Sequence, residues 1–548
     1  MTTMFQNGPA ALISALYEEL NFGKIIDRMV NWDEKQCHFS PGERVKVMVI
    51  NIFSHRRPLY RIDEAYRHMD IENLFGRGIS LDDLKDYNMA RALDKIAERG
   101  AHEIFSTLCL EAISSEQLSL KYLHSDTTSI SVHGDYEYAE ATDPYFFITF
   151  GHSKAKRPDL KQFLYGVSVN EDGVPVCADV VSGNTSDKTW NFNYIEKLAA
   201  KLKPEMLAET IYIADSALVT EANLIKLKEH SLRFISRLPG NFNLEEELKE
   251  RAWAKNSFEE LGVFSERKDA ASYKVTELNE SLYEDDYRFL IVHSSKLDKR
   301  KTKSFDRSLS ETEKKLGKII EAKEKIDYAC LPDAETALNS FIKDNRDKHY
   351  LISGQVASEE KRKPGRPGKG NSSKTVYRLR LNLKLDEKKV AQTRERLSCF
   401  ILISNLDQSY STAEILKQYK AQNKVETSFK FLKDPLFVGP IFLKKPSRVE
   451  ALAYLLLIAL LIFYILQRRV RKALETEDRP LLIPGKVETF KPTGKKILES
   501  VEVILTMTTG DPHRRAFSTN YKLPRVISLA GFDGNIYLNV KEREQYFP

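Results

Sequence analysis

Two aspartates close short runs of β-type residues: Asp126 ends YLHSD and Asp215 ends IYIAD. In a mostly hydrophobic sheet both fall at the carboxyl ends of strands, where open α/β sheets place their ligands. The alternative for each is a capping role in the turn that follows, since Asp is a common turn residue. A third carboxylate, Glu426, lies in SYSTAEILKQYKAQNKVETSFKFLKDP, whose spacing predicts one helix from about 411 to 433. With Tyr419 at zero and 100° per residue, Gln422 falls near about −60°, Glu426 near −20°, Lys430 near +20° and Lys433 near −40°. These five polar residues form one stripe. Ala421, Val425, Phe429 and Leu432 form an adjacent apolar stripe suited to packing on a sheet, and Pro435 ends the helix. The plain alternative is that Glu426 only pairs with Lys430 at i, i+4.

Three carboxylates converging from two strand ends and a helix suit two hard divalent cations, Mg²⁺ above all, because Mg²⁺ takes oxygen ligands and keeps waters. Two such ions about 3.5–4 Å apart serve an in-line displacement at phosphorus. Lysines on the same helical face would hold the phosphates entering the site. The chemistry implied is phosphodiester cleavage and transfer.

The elements that must position these groups are an α/β layer preceded by helices. Residues 1–115 read as helical, with Ser40-Pro41-Gly42-Glu43 and Ser80-Leu81-Asp82-Asp83 as helix starts. From about 120 the runs YLHSD, FLYGVSVN, VPVCADVVSG, ETIYIAD and LRFISRLP read as strands, with helices after the third and fourth. That order stops at Gly240 and resumes with CFILISN, which predicts an insertion with its own apolar runs. The expected layout is a helical domain over 1–115, the two parts of an α/β core over 116–240 and 397–475, an insertion domain over 241–396 and a C-terminal region over 476–548.

The 548-residue chain carries 84 Lys and Arg against 78 Asp and Glu, a net charge of +6, and is 42% hydrophobic, which excludes a disordered chain and predicts several packed domains. Five cysteines without a C-x-x-C pair argue against a disulfide framework or a structural zinc site, and point to a reducing cytoplasm. The N-terminus has no basic region ahead of its apolar run and does not read as a signal peptide. Ala451–Leu466 is uncharged but short of the roughly 20 residues a spanning helix needs, so it is expected to be a buried core helix rather than a membrane anchor.

Together these stretches resemble the DDE transposases of bacterial insertion sequences. The similarity rests on HSDTTSISVHG, GHSKAKRPDLKQFLYGVSVNEDGVPV, VVSGNTSDKTW, YIADSALVTEANL, FISRLPGNF, and Y-x2-Q-x3-E-x6-K, which looks like the Y-R-E-K signature. It covers roughly 120–240 and 395–475, and the helical N-terminus is similar to that of one branch of the group. The resemblance implies a ribonuclease H-like core with a mixed sheet, interrupted by a large β-containing insertion. It implies that Asp126, Asp215 and Glu426 bind two Mg²⁺ ions, with Mn²⁺ able to substitute. Tyr419 and Lys433 match positions expected to contact transposon-end DNA, while position 422 is Gln where the signature has Arg, so it brings no charge and no bidentate fork. The implied activity is cleavage of double-stranded DNA at element ends and joining of the 3′-hydroxyl to target DNA, by a homodimer when DNA is bound, on the nucleoid in a prokaryotic cytoplasm.

Three basic features are candidates for holding DNA. His152, Lys154, Lys156, Arg157 and Lys161 resemble the family's G-x-S-K-x-x-R-P-D motif, with an exposed loop as the alternative. Gly365-Arg366-Pro367 within KRKPGRPGKG is similar to an AT-hook, which would send Arg366 into a narrow minor groove; a solvated loop is the alternative. Arg44, Lys46, His55, Arg56 and Arg57 on the N-terminal helices are candidates for end recognition. Rival readings are a metal-dependent nuclease or resolvase on the same fold, and a non-catalytic DNA-binding protein derived from a transposase.

Overall fold

The computed structural model describes residues 3–134, 136, 146–154, 156–264, 269–296, 299–361, 374–434, 443, 445–509, 511–518 and 523–540. It divides into two compact units, Met1–Ser236 with Ser404–Tyr410 and Glu414–Pro548, and Arg237–Ile403 with Ser411–Ala413.

The first unit begins with helices α1 (Gly8–Glu19), α2 (Phe22–Met29), α3 (Pro41–Phe53), α4 (Asp86–Arg99) and α5 (Ala101–Ser115). Ser40 caps α3, its hydroxyl accepting from the Glu43 amide at 3.2 Å, and Pro41 opens it as the sequence predicts. Ser80 and Asp83 form a full capping box, but on a 3₁₀ turn, Leu81–Leu84, ahead of α4. Gly100, at φ 99°, breaks the long helical run after it into α4 and α5.

The sheet of this unit has the order β3-β2-β1-β4-β5, with β1 Tyr122–Val132, β2 Lys161–Val169, β3 Pro175–Ser182, β4 Ile211–Ile213 and β5 Arg233–Arg237. The β1, β2 and β3 strands form an antiparallel meander, whereas β4 runs parallel to β1 and β5 parallel to β4. Helix α6 (Asp187–Lys201) lies between β3 and β4 in the chain, and α7 (Glu221–Glu229) between β4 and β5. Trp190 on α6 is fully buried and stacks on Tyr194 at 4.8 Å, which makes it core. It lies on β2 at Gly166, where a Cβ would stand 2.1 Å from the indole.

The segment predicted to be one helix from about 411 to 433 is two: α8 (Thr412–Lys420) and α9 (Asn423–Lys433). Between them the amides of Gln422, Lys424 and Val425 bond to the carbonyls of Tyr419, Ala421 and Gln422, three residues back rather than four. That tight turn advances the chain faster than 100° per residue, so Tyr419 and Glu426 do not share one continuous helical phase.

Helix α10 (Pro446–Glu475) is long and apolar enough to cross a membrane by length and composition, yet its apolar stretch is buried inside the unit. It touches α1, α3, α4, α5, β3 and α9. Tyr165 donates to the Ala453 carbonyl at 3.0 Å, and Tyr454 accepts from the Val180 amide at 3.0 Å, so its buried polar atoms are used. Its ends are clamped by Arg448 to Asp94 (2.6 Å) and Arg469 to Glu116 (2.5 Å) and Glu19 (3.0 Å). With α10 at its centre, the N-terminal helices are not a separate unit but share a core with the sheet. The strand Thr506–Thr509 pairs with Met4–Phe5, and Asn535–Leu538 forms a helical turn near the C-terminal end of the described residues.

The second unit starts at Arg237, a few residues before the predicted insertion. Its strands β6 (Glu259–Val263), β7 (Ser272–Leu282) and β8 (Asp285–Ser294) are antiparallel, and β9 (Tyr350–Lys361) pairs antiparallel with β10 (Lys374–Leu385). Trp253 rests on Phe258 at 5.1 Å and His293 at 6.0 Å, with Lys274 over its ring, so it fills this unit's own packing. Residues 362–373, including Arg366 and the rest of the predicted AT-hook, lie outside the described residues.

Candidate active site

Asp126 does not end its strand. The β1 strand runs on to Val132 and stays paired with β2, with Asp126 opposite Val167. On its other edge β4 stops at Ile213, opposite His124. The register carried two places further sets Asp215 level with Asp126, on the same face, where the sheet opens. Asp215 also caps the 3₁₀ turn Ser216–Leu218, its Oδ1 accepting from the Ala217 amide at 3.0 Å, and Ser236 donates to its carbonyl at 2.7 Å. The capping reading of this residue therefore holds.

Burial pushes the Asp126 carboxyl up to about 6, Lys154 and the Thr127 amide opposing and the charges of Asp215 and Asp187 adding. Burial also raises Asp215, with Asp187 adding and Lys154 and the Ala217 amide opposing. Two carboxylates that resist ionising side by side form a pocket that favours a cation.

Asp187, the first residue of α6, belongs to this cluster, although the sequence alone does not single it out. The Thr127 hydroxyl donates to it, and Lys154 Nζ lies 3.1 Å from its Oδ2. The same ammonium lies 3.7 Å from Asp126 Oδ1 and donates to the Thr127 carbonyl at 2.8 Å and hydroxyl at 2.7 Å. Lys154, expected on a DNA-facing loop, is thus a cation inside the acid cluster, held there in part by its own amide bonding Ser129 Oγ at 3.1 Å. The signal for Asp187 is its place in VVSGNTSDKTW, where it reads only as a helix start.

Helix α9 packs on β1 and β2 through Val425, Phe429 and Leu432, which are buried. Gln422 donates from Nε2 to the Ser125 carbonyl at 3.4 Å, beside the first acid. At the other end of α9 the Lys433 ammonium is lowered by burial and by Lys154, with Asp126 opposing. Glu426 lies on the same helical face between these two residues and is exposed. Among the described residues no three His, Cys, Asp or Glu side chains stand close enough together to hold a metal ion. The donor chemistry nevertheless fits a hard divalent cation, with oxygen ligands only, two of them destabilised as charges by burial and by a neighbouring carboxylate.

The remaining candidates sit variously. Lys430 is exposed on α9, and Tyr419 is half-buried on α8. Arg157 is paired with Asp159 at 2.6 Å, and Lys161 reaches the Tyr136 carbonyl at 3.3 Å. Lys46 is 1% exposed and lies 2.7 Å from both Glu18 and Glu43, so it is a buried ion-pair centre and not a DNA contact.

The sequence matches the family described as a transposase DDE domain over residues 125–462, more than half of the chain. Residues 9–110 match a family described as a domain of unknown function. Among solved structures, the cryo-electron-microscopy structure of a piggyBac transposase synaptic complex with hairpin DNA is similar at 11% identity and a TM-score of 0.36, over 90% of this chain and 79% of that one. No curated protein matches.

Proposed function

Because this chain belongs to the transposase DDE domain family and is a transposase, we propose that it cuts double-stranded DNA at the ends of its element and joins the freed 3′-hydroxyl to target DNA. The observation that carries this reading is the level placement of Asp126 on β1 and of Asp215 just beyond the end of the neighbouring parallel β4, on the sheet against which the helix bearing Glu426 packs. On this reading the core is ribonuclease H-like, with the second unit inserted between β5 and α8.

Asp126, Asp215 and Glu426 would hold Mg²⁺, with Mn²⁺ able to replace it. When bound, the metal supplies Lewis acidity at phosphorus and lowers the pKa of an attacking oxygen. The chain's own residues do the rest. Lys433 flanks the acids and pairs with a non-bridging phosphate oxygen, while Lys154, whose three N–H groups already serve Thr127 and Asp187, releases one of them to do the same. Gln422 spends one amide hydrogen on Ser125 and keeps its other for a phosphate oxygen. Lys430, exposed one turn beyond Glu426, along with Tyr419, Arg157 and Lys161, steers the DNA backbone. Two element ends must meet before joining, so the working form is a homodimer on DNA, in the cytoplasm at the nucleoid.

Cleavage of labelled DNA carrying the element's own ends, with Mg²⁺, tests this reading. Wild-type protein is expected to release a 3′-hydroxyl end and yield joined products on a supercoiled plasmid, while Glu426→Gln binds but does not cut. Equal cutting by both proteins, or cutting without metal, would remove Glu426 from the chemistry. Nicks without joined products would make the protein a nuclease.

A further inference from the structure

A cleft of about 870 Å³ opens on the flank of α9, roughly a quarter turn around the helix from Glu426. Its walls are α9, the turn Glu171–Gly173, the C-terminal half of α10 and the segment 490–495. That last wall is fixed to α10 at two points. Arg471 Nε donates to the Pro492 carbonyl at 2.8 Å, and the Gly494 amide donates to Gln467 Oε1 at 2.8 Å. Gly494 itself abuts Phe463, where a Cβ would lie 2.5 Å from the ring.

Cations outnumber carboxylates along this cleft, seven to five. Arg471 is half-buried, and burial lowers its affinity for its proton, yet no carboxylate stands within ion-pair distance of it among the described residues. Lys472, Lys491 and Lys495 are exposed on the same walls and likewise have no ion-pair partner among the described residues. Of the five carboxylates that line the cleft, Asp172 is paired with Arg468 at 2.7 Å and Glu477 with Arg525, while Glu171, Asp434 and Glu475 leave the lining still net positive. A partly desolvated guanidinium with only a distant carboxylate, Asp172, to offset it loses more hydration than it regains, a deficit that a bound anion reduces. At the rim Phe490 is 44% exposed, an aromatic face beside the cations. Cations along a groove with an aromatic at its edge are the features that hold a nucleic-acid strand by its phosphates and stack a base.

We propose that this cleft binds the phosphodiester backbone of a DNA strand that passes from Glu426 over Lys430 and along Arg471, Lys472, Lys491 and Lys495. The proposal rests on the transposase reading and adds to it a second DNA-binding surface, separate from the acid cluster.

The test is the salt dependence of DNA binding by the full chain, measured by fluorescence anisotropy on labelled end DNA over a series of KCl concentrations. Lys472→Gln, Lys491→Gln and Lys495→Gln are combined in one variant, because all three are exposed and make no ion pair that folding depends on. Arg471→Lys is the second variant, keeping the charge while losing the fork. The triple variant is expected to weaken binding and to flatten the plot of log K against log salt by about 0.9 for each phosphate that is no longer neutralised. Arg471→Lys is expected to weaken binding with little change of slope. A triple variant with wild-type slope and affinity overturns the proposal while leaving the transposase reading intact, provided wild-type protein still cuts with Mg²⁺. Displacement of a mononucleotide, with DNA affinity unchanged in the variant, overturns it in favour of a free ligand. Wild-type protein that neither binds nor cuts end DNA overturns both.

Discussion

Asp126→Asn is expected to stabilise this protein above about pH 6 and to leave it unchanged below the unfolded carboxyl value of 3.8. In the fold the Asp126 carboxyl titrates at about 6 instead of 3.8, so the folded chain binds that proton more tightly than the unfolded chain. The sign follows: the contribution is neutral below the unfolded value, turns unfavourable as pH rises from 3.8 through about 6, and is full above that. A rise of that size corresponds to roughly 3 kcal/mol of destabilisation from the ionised carboxylate. The side chain is 24% exposed, so the figure needs little discount for solvent screening. Asn keeps the shape and removes the charge, so calorimetry without metal should show the variant melting a few degrees higher at about pH 8 and with wild type at about pH 4. Adding Mg²⁺ should raise the wild-type melting temperature at about pH 8 and leave the variant nearly unmoved, since binding to the folded state alone stabilises it. A variant no more stable than wild type at that pH, or one equally stabilised at both pH values, would refute the claim that burial and neighbouring acids hold this carboxylate at a cost.

Lys154→Met removes the ammonium that lies 3.1 Å from Asp187 and 3.7 Å from Asp126, leaving the acids to repel one another. A loss of about 1–3 kcal/mol at about pH 8 is expected, together with a larger Mg²⁺-induced rise in melting temperature than wild type shows; a wild-type melting curve would sink the idea that Lys154 balances the cluster. Gly166→Ala puts a Cβ 2.1 Å from the Trp190 indole, between two buried elements that cannot separate cheaply. The expected cost is about 1–3 kcal/mol by thermal unfolding with a shifted tryptophan emission, and an unchanged melting temperature would show that α6 does not lie tightly on β2.

The order of strands and helices through the α/β layer is readable in the sequence because it depends on local pattern. Strand runs alternate with helical spacing from about 120 to 240. The features that are not readable depend on partners far away in the chain. Asp126 looks like a turn residue, yet TTSISV continues β1 because β2 pairs with it from His124 to Val132, overriding the local signal. The break at Ala421–Gln422 has neither Gly nor Pro to mark it, and follows from three i to i−3 bonds that only the folded backbone reveals. Asp187 enters the site because α6 begins beside Thr127, 60 residues away in sequence. The charge of Lys46 suggests a surface role, whereas it is buried and paired with Glu18 of α1 and with Glu43 one turn earlier on its own helix.

The N-terminal helices bear on the acid cluster through packing, whatever they contact in DNA. Helix α9 is held on one side by Val425, Phe429 and Leu432 against the sheet, and by Gln422 on the Ser125 carbonyl. Its other side is held by Phe431, whose ring lies 5.0 Å from Phe463 of α10 and 6.1 Å from Phe53 of α3. Phe53 in turn stacks on Phe463 at 6.2 Å with nearly parallel planes. Aromatic groups of this kind are rigid and each buries a large area, so the three rings fix the distance of α9 from α10. The exposed face of α9, with Glu426 and Lys430, is therefore positioned by a contact that begins at the last residue of an N-terminal helix. Removing the N-terminal region takes away one wall of the Phe431 socket as well as any end-binding surface. Loss of cutting in such a truncation consequently reports on the placement of Glu426 as much as on recognition of DNA.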